Sequence, residues 1–187
     1  MSVSPKHNIT ADRATDLIMS GQSLVDVFVT GELKLIGLNN FDKSLFASNS
    51  IFEYLNAGSS QFTKLVKLSN CELWKCDFAF SYFLGGLEIN NCVFENYLDF
   101  QAGGHNKDGN VVSIYNSTFK GFVNFFDCRY ESEFIISENF FLKGTNLLGK
   151  PNGIPVTFDI NPKIPNNKGK LDLDIEGDVG STSVYLP

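Results

Sequence analysis

The chain has 187 residues, of which 43% are hydrophobic and 19% are charged, so its length suits one domain and its composition excludes a disordered chain. Its net charge of -6 disfavours direct nucleic-acid binding and docking on anionic lipid, since both need a basic surface. No run of about eighteen apolar residues occurs, which excludes a membrane-spanning helix.

Phenylalanine is unusually frequent, with eighteen residues against two Met and one Trp. Together with many Asn, Gly and Ser residues, it favours short strands and turns over helices. The four cysteines are too few for a disulfide-framed fold of this length. The first residues lack the apolar stretch and the cleavage site of a signal peptide, so the sequence predicts a cytoplasmic protein.

Residues 1–24 are predicted to form an N-terminal arm and a short capping helix, which covers 11–20. Thr10 suits the N-cap, and Gly21 suits the left-handed position that follows a helix. Three apolar residues with helical spacing form one stripe: Ala14, Leu17 and Ile18. We expect this stripe to cover the open N-terminal end of the repeats that follow.

Residues 25–148 contain five copies of the pattern apolar-x-x-small-x-aromatic or aliphatic. The copies end at Phe52, Leu73, Phe94, Phe119 and Phe141. They are spaced by 21 or 22 residues, except for one step of 25 that contains the polar run 102–110. If that run is a loop insertion, the period is nearly constant. Such a period predicts a solenoid in which each copy forms one coil.

Inward-facing side chains of neighbouring coils should stack, since adjacent parallel strands lie about 4.8 Å apart. We expect one interior ladder from the five residues that end the copies, and a second that includes Ile89, Ile114 and Ile136. A third set of equivalent positions carries small residues because the coil is narrow. Its members are Cys71, Cys92, Ser117 and Asn139.

A finer spacing of five residues lies inside the copies, in the pairs Cys71-x-Leu73, Cys76-x-Phe78 and Ser81-x-Phe83. These pairs, and the lead-in over 17–35, resemble the pentapeptide-repeat family, and the similarity covers residues 10–148. The resemblance implies an all-β solenoid, a right-handed parallel β-helix. Coils of 21–22 residues exceed the 20 of four ideal pentads, so a four-sided coil and a looser three-sided coil both remain open.

The segment 151–187 is rich in Pro, Gly and Asn, and the repeats stop there. Apolar and polar residues alternate at 156–160 and 171–175, so each could form a half-buried strand. The sequence predicts an irregular C-terminal segment whose strands either cap the last coil or pair with another chain, which would make the protein a homodimer.

The sequence predicts no catalytic, cofactor-binding or metal-binding residue. His7 lies in the arm, His105 lies in the polar run, and neither adjoins a nucleophile motif. No phosphate-binding glycine motif occurs, and Cys71 and Cys76 do not have the spacing of a zinc site. The segment 172–178 lacks the final glutamate of a calcium-binding loop.

A non-enzymatic protein-interaction module of unknown partner is therefore the predicted function, because a solenoid presents extended faces. The candidate partner-binding loop lies in the polar run and consists of His105, Asn106, Lys107 and Asp108.

Two alternatives remain. The resemblance implies an acidic DNA mimic that inhibits or protects a type II topoisomerase such as gyrase, although residues 40–148 carry only twelve acids against eight bases. A carbohydrate-binding or carbohydrate-cleaving β-helix would use carboxylates on one face, and the candidates are Glu72, Glu88, Glu95 and Asp99.

Overall fold

The computed structural model describes residues 4–5 and 7–177, which form a parallel β-solenoid with one short α-helix near the N-terminus. The predicted all-β solenoid is confirmed. The elements in chain order are β1 His7–Thr10, α1 Ala11–Met19, β2 Leu24–Val25, β3 Val27–Lys34, β4 Leu45–Ser48, β5 Ile51–Asn56, β6 Val66–Ser69, β7 Glu72–Asp77, β8 Leu87–Asn90, β9 Val93–Phe94, β10 Leu98–Asp99, β11 Val112–Tyr115, β12 Thr118–Phe119, β13 Val123–Asn124, β14 Arg129–Tyr130, β15 Phe134–Ser137, β16 Phe140–Phe141, a 3-10 helix at Pro151–Gly153, and β17 Thr157–Phe158.

The strands of successive coils pair in parallel and build two long sheets among the described residues. Sheet A has the order β1-β3-β5-β7-β9-β12-β16, with β10 and β13 paired alongside, and sheet B has the order β15-β11-β8-β6-β4-β2. Each complete coil contributes strands to both sheets. Its inward residues therefore meet the equivalent residues of the coils above and below.

Both predicted interior ladders are present. Phe52 pairs with Leu73, and the pairing continues through Phe94 and Phe119 to Phe141. The rings of Phe94 and Phe119 stack with centroids 5.0 Å apart, and those of Phe119 and Phe141 with centroids 4.9 Å apart. In sheet B, the second ladder runs through Ile89, Ile114 and Ile136. Most of the phenylalanine excess therefore lies in the core.

Each coil places four pairs of buried residues on its inside, which favours the four-sided alternative. Along the coil 66–83, the members of each pair are separated by one partly or fully exposed residue. The pairs are Val66 and Leu68, Cys71 and Leu73, Cys76 and Phe78, and Ser81 and Phe83. The next pair, Leu87 and Ile89, begins six residues after Ser81 rather than five. One extra residue at that corner accounts for a coil of 21 residues.

The corner between sheets B and A requires a left-handed backbone residue in every coil. Four of these residues are asparagines with φ between 50° and 53°, namely Asn49, Asn70, Asn91 and Asn116. Asparagine suits this conformation because its short polar side chain tolerates positive φ better than most residues do.

The residue after each left-handed asparagine is small for a reason that the sequence did not reveal. Its side chain accepts a hydrogen bond from the backbone amide of the preceding coil. The amide of Cys71 donates to Sγ of Cys92 over 3.4 Å, that of Cys92 to Oγ of Ser117 over 3.1 Å, and that of Ser117 to Oδ1 of Asn139 over 2.9 Å. The side chains at these positions must therefore be polar as well as small.

The N-terminal helix matches the prediction. The Thr10 side chain caps it by accepting from the Arg13 amide, and Gly21 follows it with φ of 77°. Ala14 and Ile18 are fully buried in the core. His7 of the predicted N-terminal arm begins β1, which pairs with β3 in the first coil.

The C-terminal segment is more regular than the sequence indicated. Strand β17 lies inside the predicted stretch 156–160 and pairs with β14. The amides of Lys163 and Lys168 donate to carbonyls of the preceding coil, both over distances below 3 Å. The stretch 171–175 forms no strand, although Leu173 donates to the Thr145 carbonyl over 3.2 Å. The described part thus adds a looser coil, and 178–187 lies outside the described residues.

The ring ladder yields a stability prediction. Phe119 lies between Phe94 and Phe141, so Phe119→Ala should leave a cavity and reduce the free energy of unfolding by about 3–5 kcal/mol. Denaturant unfolding followed by circular dichroism measures this loss. Phe80→Ala is the matched control, since Phe80 is 51% exposed and should change the stability by less than about 0.5 kcal/mol. Equal losses in both variants would contradict the ladder.

Candidate interaction surface

The predicted loop insertion is shorter in the structure than in the sequence prediction. Gly104 still follows the coil, because it pairs with Tyr82 on one side and with Arg129 on the other. Regular pairing resumes where the Leu87 amide donates to the carbonyl of Val111. Three of the four extra residues of the long coil therefore lie after Gly104, and the fourth lies at the corner between Phe94 and Leu98, while 102–104 belong to the solenoid.

The four predicted loop residues have different environments. His105 packs against the Tyr82 ring at 4.4 Å between centroids, and its Nδ1 lies 2.7 Å from Oε1 of Glu131. Asn106 is fully buried, and its side chain bonds to backbone atoms of the loop and of the next coil. Only Lys107 and Asp108 are fully open to solvent at the tip. Asn106 therefore fixes the loop and does not present a contact surface.

A more distinctive surface lies on the outside of sheet A. Phe28, Ile51 and Val93 occupy one outward-facing row, in which Glu72 is the polar member between Ile51 and Val93. Trp74 lies beside this row, 40% exposed, with its ring 5.4 Å from that of Phe28. We call the four apolar side chains, Phe28, Ile51, Trp74 and Val93, the aromatic patch.

The aromatic patch departs from the usual chemistry of a solvent-facing strand, where polar residues are expected. Glu72 does not break it up, because the Glu72 carboxylate is held at the edge of the indole by a 2.8 Å hydrogen bond from Trp74 Nε1. The high phenylalanine count did not indicate the patch, because the phenylalanines were assigned to the core. The sequence did contain a signal for the patch: residues such as Ile51 and Val93 are apolar at the outward-facing position between the small and the aromatic residue of the repeat.

Several surface charges pair between neighbouring coils. Lys120 contacts Glu95 at 2.7 Å, Lys67 contacts Glu88 at 3.0 Å, and Arg129 contacts Asp159 at 3.0 Å. The four carboxylates considered for sugar chemistry do not converge. Each has a separate partner: Glu72 with Trp74, Glu88 with Lys67, Glu95 with Lys120, and Asp99 with Asn124.

One corner of the solenoid stacks two carboxylates. Asp77 and Asp99 are direct partners on adjacent strands, and each accepts the backbone amide two residues further along the chain. Burial raises the pKa of Asp99 to about 6, and the charges of Asp77 and Glu176 act in the same direction. The Gln101 amide and the Asn124 side chain oppose this shift in pKa.

The cysteines are free and buried. Burial raises the pKa of the Cys128 thiol to about 12 and holds that of Cys76 well above its ordinary value. Within the part of the chain that the structure describes, no three His, Cys, Asp or Glu residues cluster in a way that could hold a metal ion.

Comparison with known proteins returns no match: no family model fits the chain, and neither a curated protein nor a solved structure resembles it significantly. Among residues 4–5 and 7–177, no helix has the length and apolar character needed to cross a bilayer.

The stacked carboxylates make stability depend on pH. Because the folded pKa of about 6 lies above the ordinary value of 3.8, the folded state keeps the Asp99 proton longer than the unfolded state. Stability should fall as the pH rises between these values, and the ionised group should cost about 3 kcal/mol at pH 7.5. Asp99→Asn retains the acceptor for Gln101, and asparagine already occupies the equivalent position 124.

We therefore expect Asp99→Asn to raise the free energy of unfolding by up to about 3 kcal/mol at pH 7.5 and to leave it unchanged below about pH 4. Urea unfolding at the two pH values measures both. Asp108→Asn, which removes a carboxylate from the exposed loop tip, is the control for the loss of one charge. An equal gain from Asp99→Asn at both pH values would contradict the ionisation argument.

Proposed function

We propose that the protein is a non-enzymatic interaction module of the cytoplasm that binds a protein partner through the aromatic patch. The observation that carries this proposal is the cluster of Phe28, Ile51, Trp74 and Val93 on the solvent face of sheet A. Apolar side chains grouped on a solvent-facing surface mark contact sites, and Trp is enriched among the residues that dominate binding energy. The unpaired state of all four cysteines supports a reducing compartment.

The backbone beneath the patch supports the same function. Strands β3, β5 and β7 pair with one another along their lengths, so the patch is rigid before a partner arrives. A rigid surface loses little conformational entropy on binding. The exposed loop tip, Lys107 and Asp108, is a second candidate contact for the same partner.

We also propose that the chain is an irregular member of the pentapeptide-repeat family. Four inward pairs per coil, most of them five residues apart, support this assignment. The extra corner residues distinguish the chain from an ideal member.

The alternative functions have weaker support. A topoisomerase-directed DNA mimic needs a continuous acidic stripe, whereas Glu95, Glu88 and Asp159 are paired with bases. A sugar-cleaving enzyme needs two carboxylates across one bond, and the four candidates have separate partners. A homodimer through the aromatic patch is compatible with the proposal, since the second copy is itself a protein partner.

Photo-crosslinking tests the proposal. A photo-crosslinking aromatic amino acid replaces Trp74 in one variant and Phe46 in the other, because Phe46 is 38% exposed on the outside of sheet B. Both variants are irradiated in extract of the source cells. We expect a discrete protein adduct at position 74 and none at 46.

Competition makes the crosslink specific. Excess unlabelled wild-type protein should abolish the adduct, whereas Trp74→Ala should compete at least about tenfold less well, the effect expected of a residue that dominates binding. An adduct of twice the chain mass supports the homodimer, and an adduct with a topoisomerase supports the mimic. Equal labelling at both positions, or equal competition by both proteins, would refute the role of the patch.

A further inference from the structure

The last described stretch of the chain, residues 171–177, first stacks on the end of the preceding coil and then passes over the outside of the solenoid, and we call it the C-terminal strap. Alternation along β13 turns Asn124 outward, between the inward Val123 and Phe125, yet Asn124 is fully buried. Asn146, in the next coil, is also fully buried. The strap passes over this row of amides, since the Asn146 side chain bonds to the carbonyl of Ile175 over 3.0 Å.

The bonds that hold the strap are directed mainly at its backbone. The Leu173 amide donates to the Thr145 carbonyl over 3.2 Å. The Tyr97 hydroxyl donates to the carbonyl of Glu176 over 3.0 Å, in addition to the bond from Asn146 to Ile175. Groups that bind the main chain of an extended segment accept many sequences. The surface under the strap therefore has the chemistry of a peptide-binding groove, formed by Tyr97, Phe122, Thr145 and Asn146.

The charges of the strap do not suit this groove. The strap carries Asp172, Asp174 and Glu176, and the charge of Glu176 acts on Asp99 of the stacked pair. The Glu176 charge contributes to the raised pKa of Asp99, which is the electrostatic sign of repulsion between the two carboxylates. An extended segment without these acids would sit in the groove with less repulsion.

The strap lies flat against the Phe122 ring only because residue 177 is glycine. Gly177 has φ of 77°, and a Cβ added there would run into the ring. The side chain of Ile175, by contrast, is 55% exposed and adds little apolar contact. Beyond these contacts, the Asp174 carboxylate accepts from the Lys150 amide and Leu171 packs against the core, so the end of the strap, from residue 175 on, is attached by few bonds and the glycine contact.

We propose that this groove is the binding site for an extended, neutral or basic peptide of a partner protein, and that the strap occupies it in cis as an autoinhibitory segment. This inference rests on the strap and the residues beneath it, not on the aromatic patch, so it does not depend on the proposed function. Displacement of the strap would expose Tyr97, Phe122 and the amide row.

The first test uses the full chain with Gly177→Ala. Gly109→Ala is the matched control, because Gly109 has φ of 79° but no atom within contact distance of an added Cβ. We expect hydrogen exchange of the amides at 171–177 to accelerate at least about tenfold in Gly177→Ala, because the strap is released locally. The control should exchange there as the wild type does.

A peptide probe measures the vacated groove. The probe is a fluorescein-labelled peptide of residues 170–177 that carries Asp172→Asn, Asp174→Asn and Glu176→Gln. Since the apparent affinity scales with the fraction of open groove, the probe should bind Gly177→Ala at least about tenfold tighter than the wild type and the control. The same peptide with its natural acids should bind Gly177→Ala more weakly than the neutral probe.

A variant that should strengthen the attachment of the strap keeps the test valid if Gly177→Ala is poorly folded. Glu176→Gln removes the repulsion and retains the acceptor for Asn152, whose side chain lies 2.8 Å from Oε1 of Glu176. Exchange at 171–177 and binding of the probe should both decrease below the wild-type values. Unchanged exchange in both variants, or binding of the probe that does not follow strap release, would overturn the proposal.

Discussion

The fold depends on hydrogen bonds that cross its corners, each from a backbone amide to a polar side chain of the next coil. Corners interrupt strand pairing, and a buried amide without a partner costs about 1–3 kcal/mol. The amide of Cys92 donates to Oγ of Ser117, that of Ser60 to Oγ of Ser81, and that of Phe125 to Oδ1 of Asn146. Three different corners thus use the same solution, which is why small polar residues persist inside an aromatic core.

The sequence predicted the interior because inward positions keep a fixed offset from the corners. Phe94 and Phe119 align although 25 residues separate them, since the extra residues lie at corners and in the loop. The last coil escaped prediction for the opposite reason. Around Lys163 and Lys168 the backbone pairs with the previous coil without any inward aromatic residue, so the pairing leaves no repeat in the sequence.

The candidate surface could be predicted only in part. The exposed loop tip follows from a polar insertion, but the burial of Asn106 depends on carbonyls of Asn110 and Glu133, and the spacing of residues does not reveal those contacts. The aromatic patch joins Phe28 to Trp74 across the intervening coil that carries Ile51. Three coils must be in register before these side chains form one surface, so no single repeat contains the signal.

A solenoid with this construction cannot open its core to bind a partner, because each coil is paired on both sides. Binding must therefore use outward side chains that are already in place, as in the aromatic patch, or segments attached only from outside. The strap is of the second kind: it is held mainly through its backbone, and its Glu176 charge acts on Asp99. The interior ladders stabilise the fold, whereas the segment that can be displaced, the strap, lies over them on the outside.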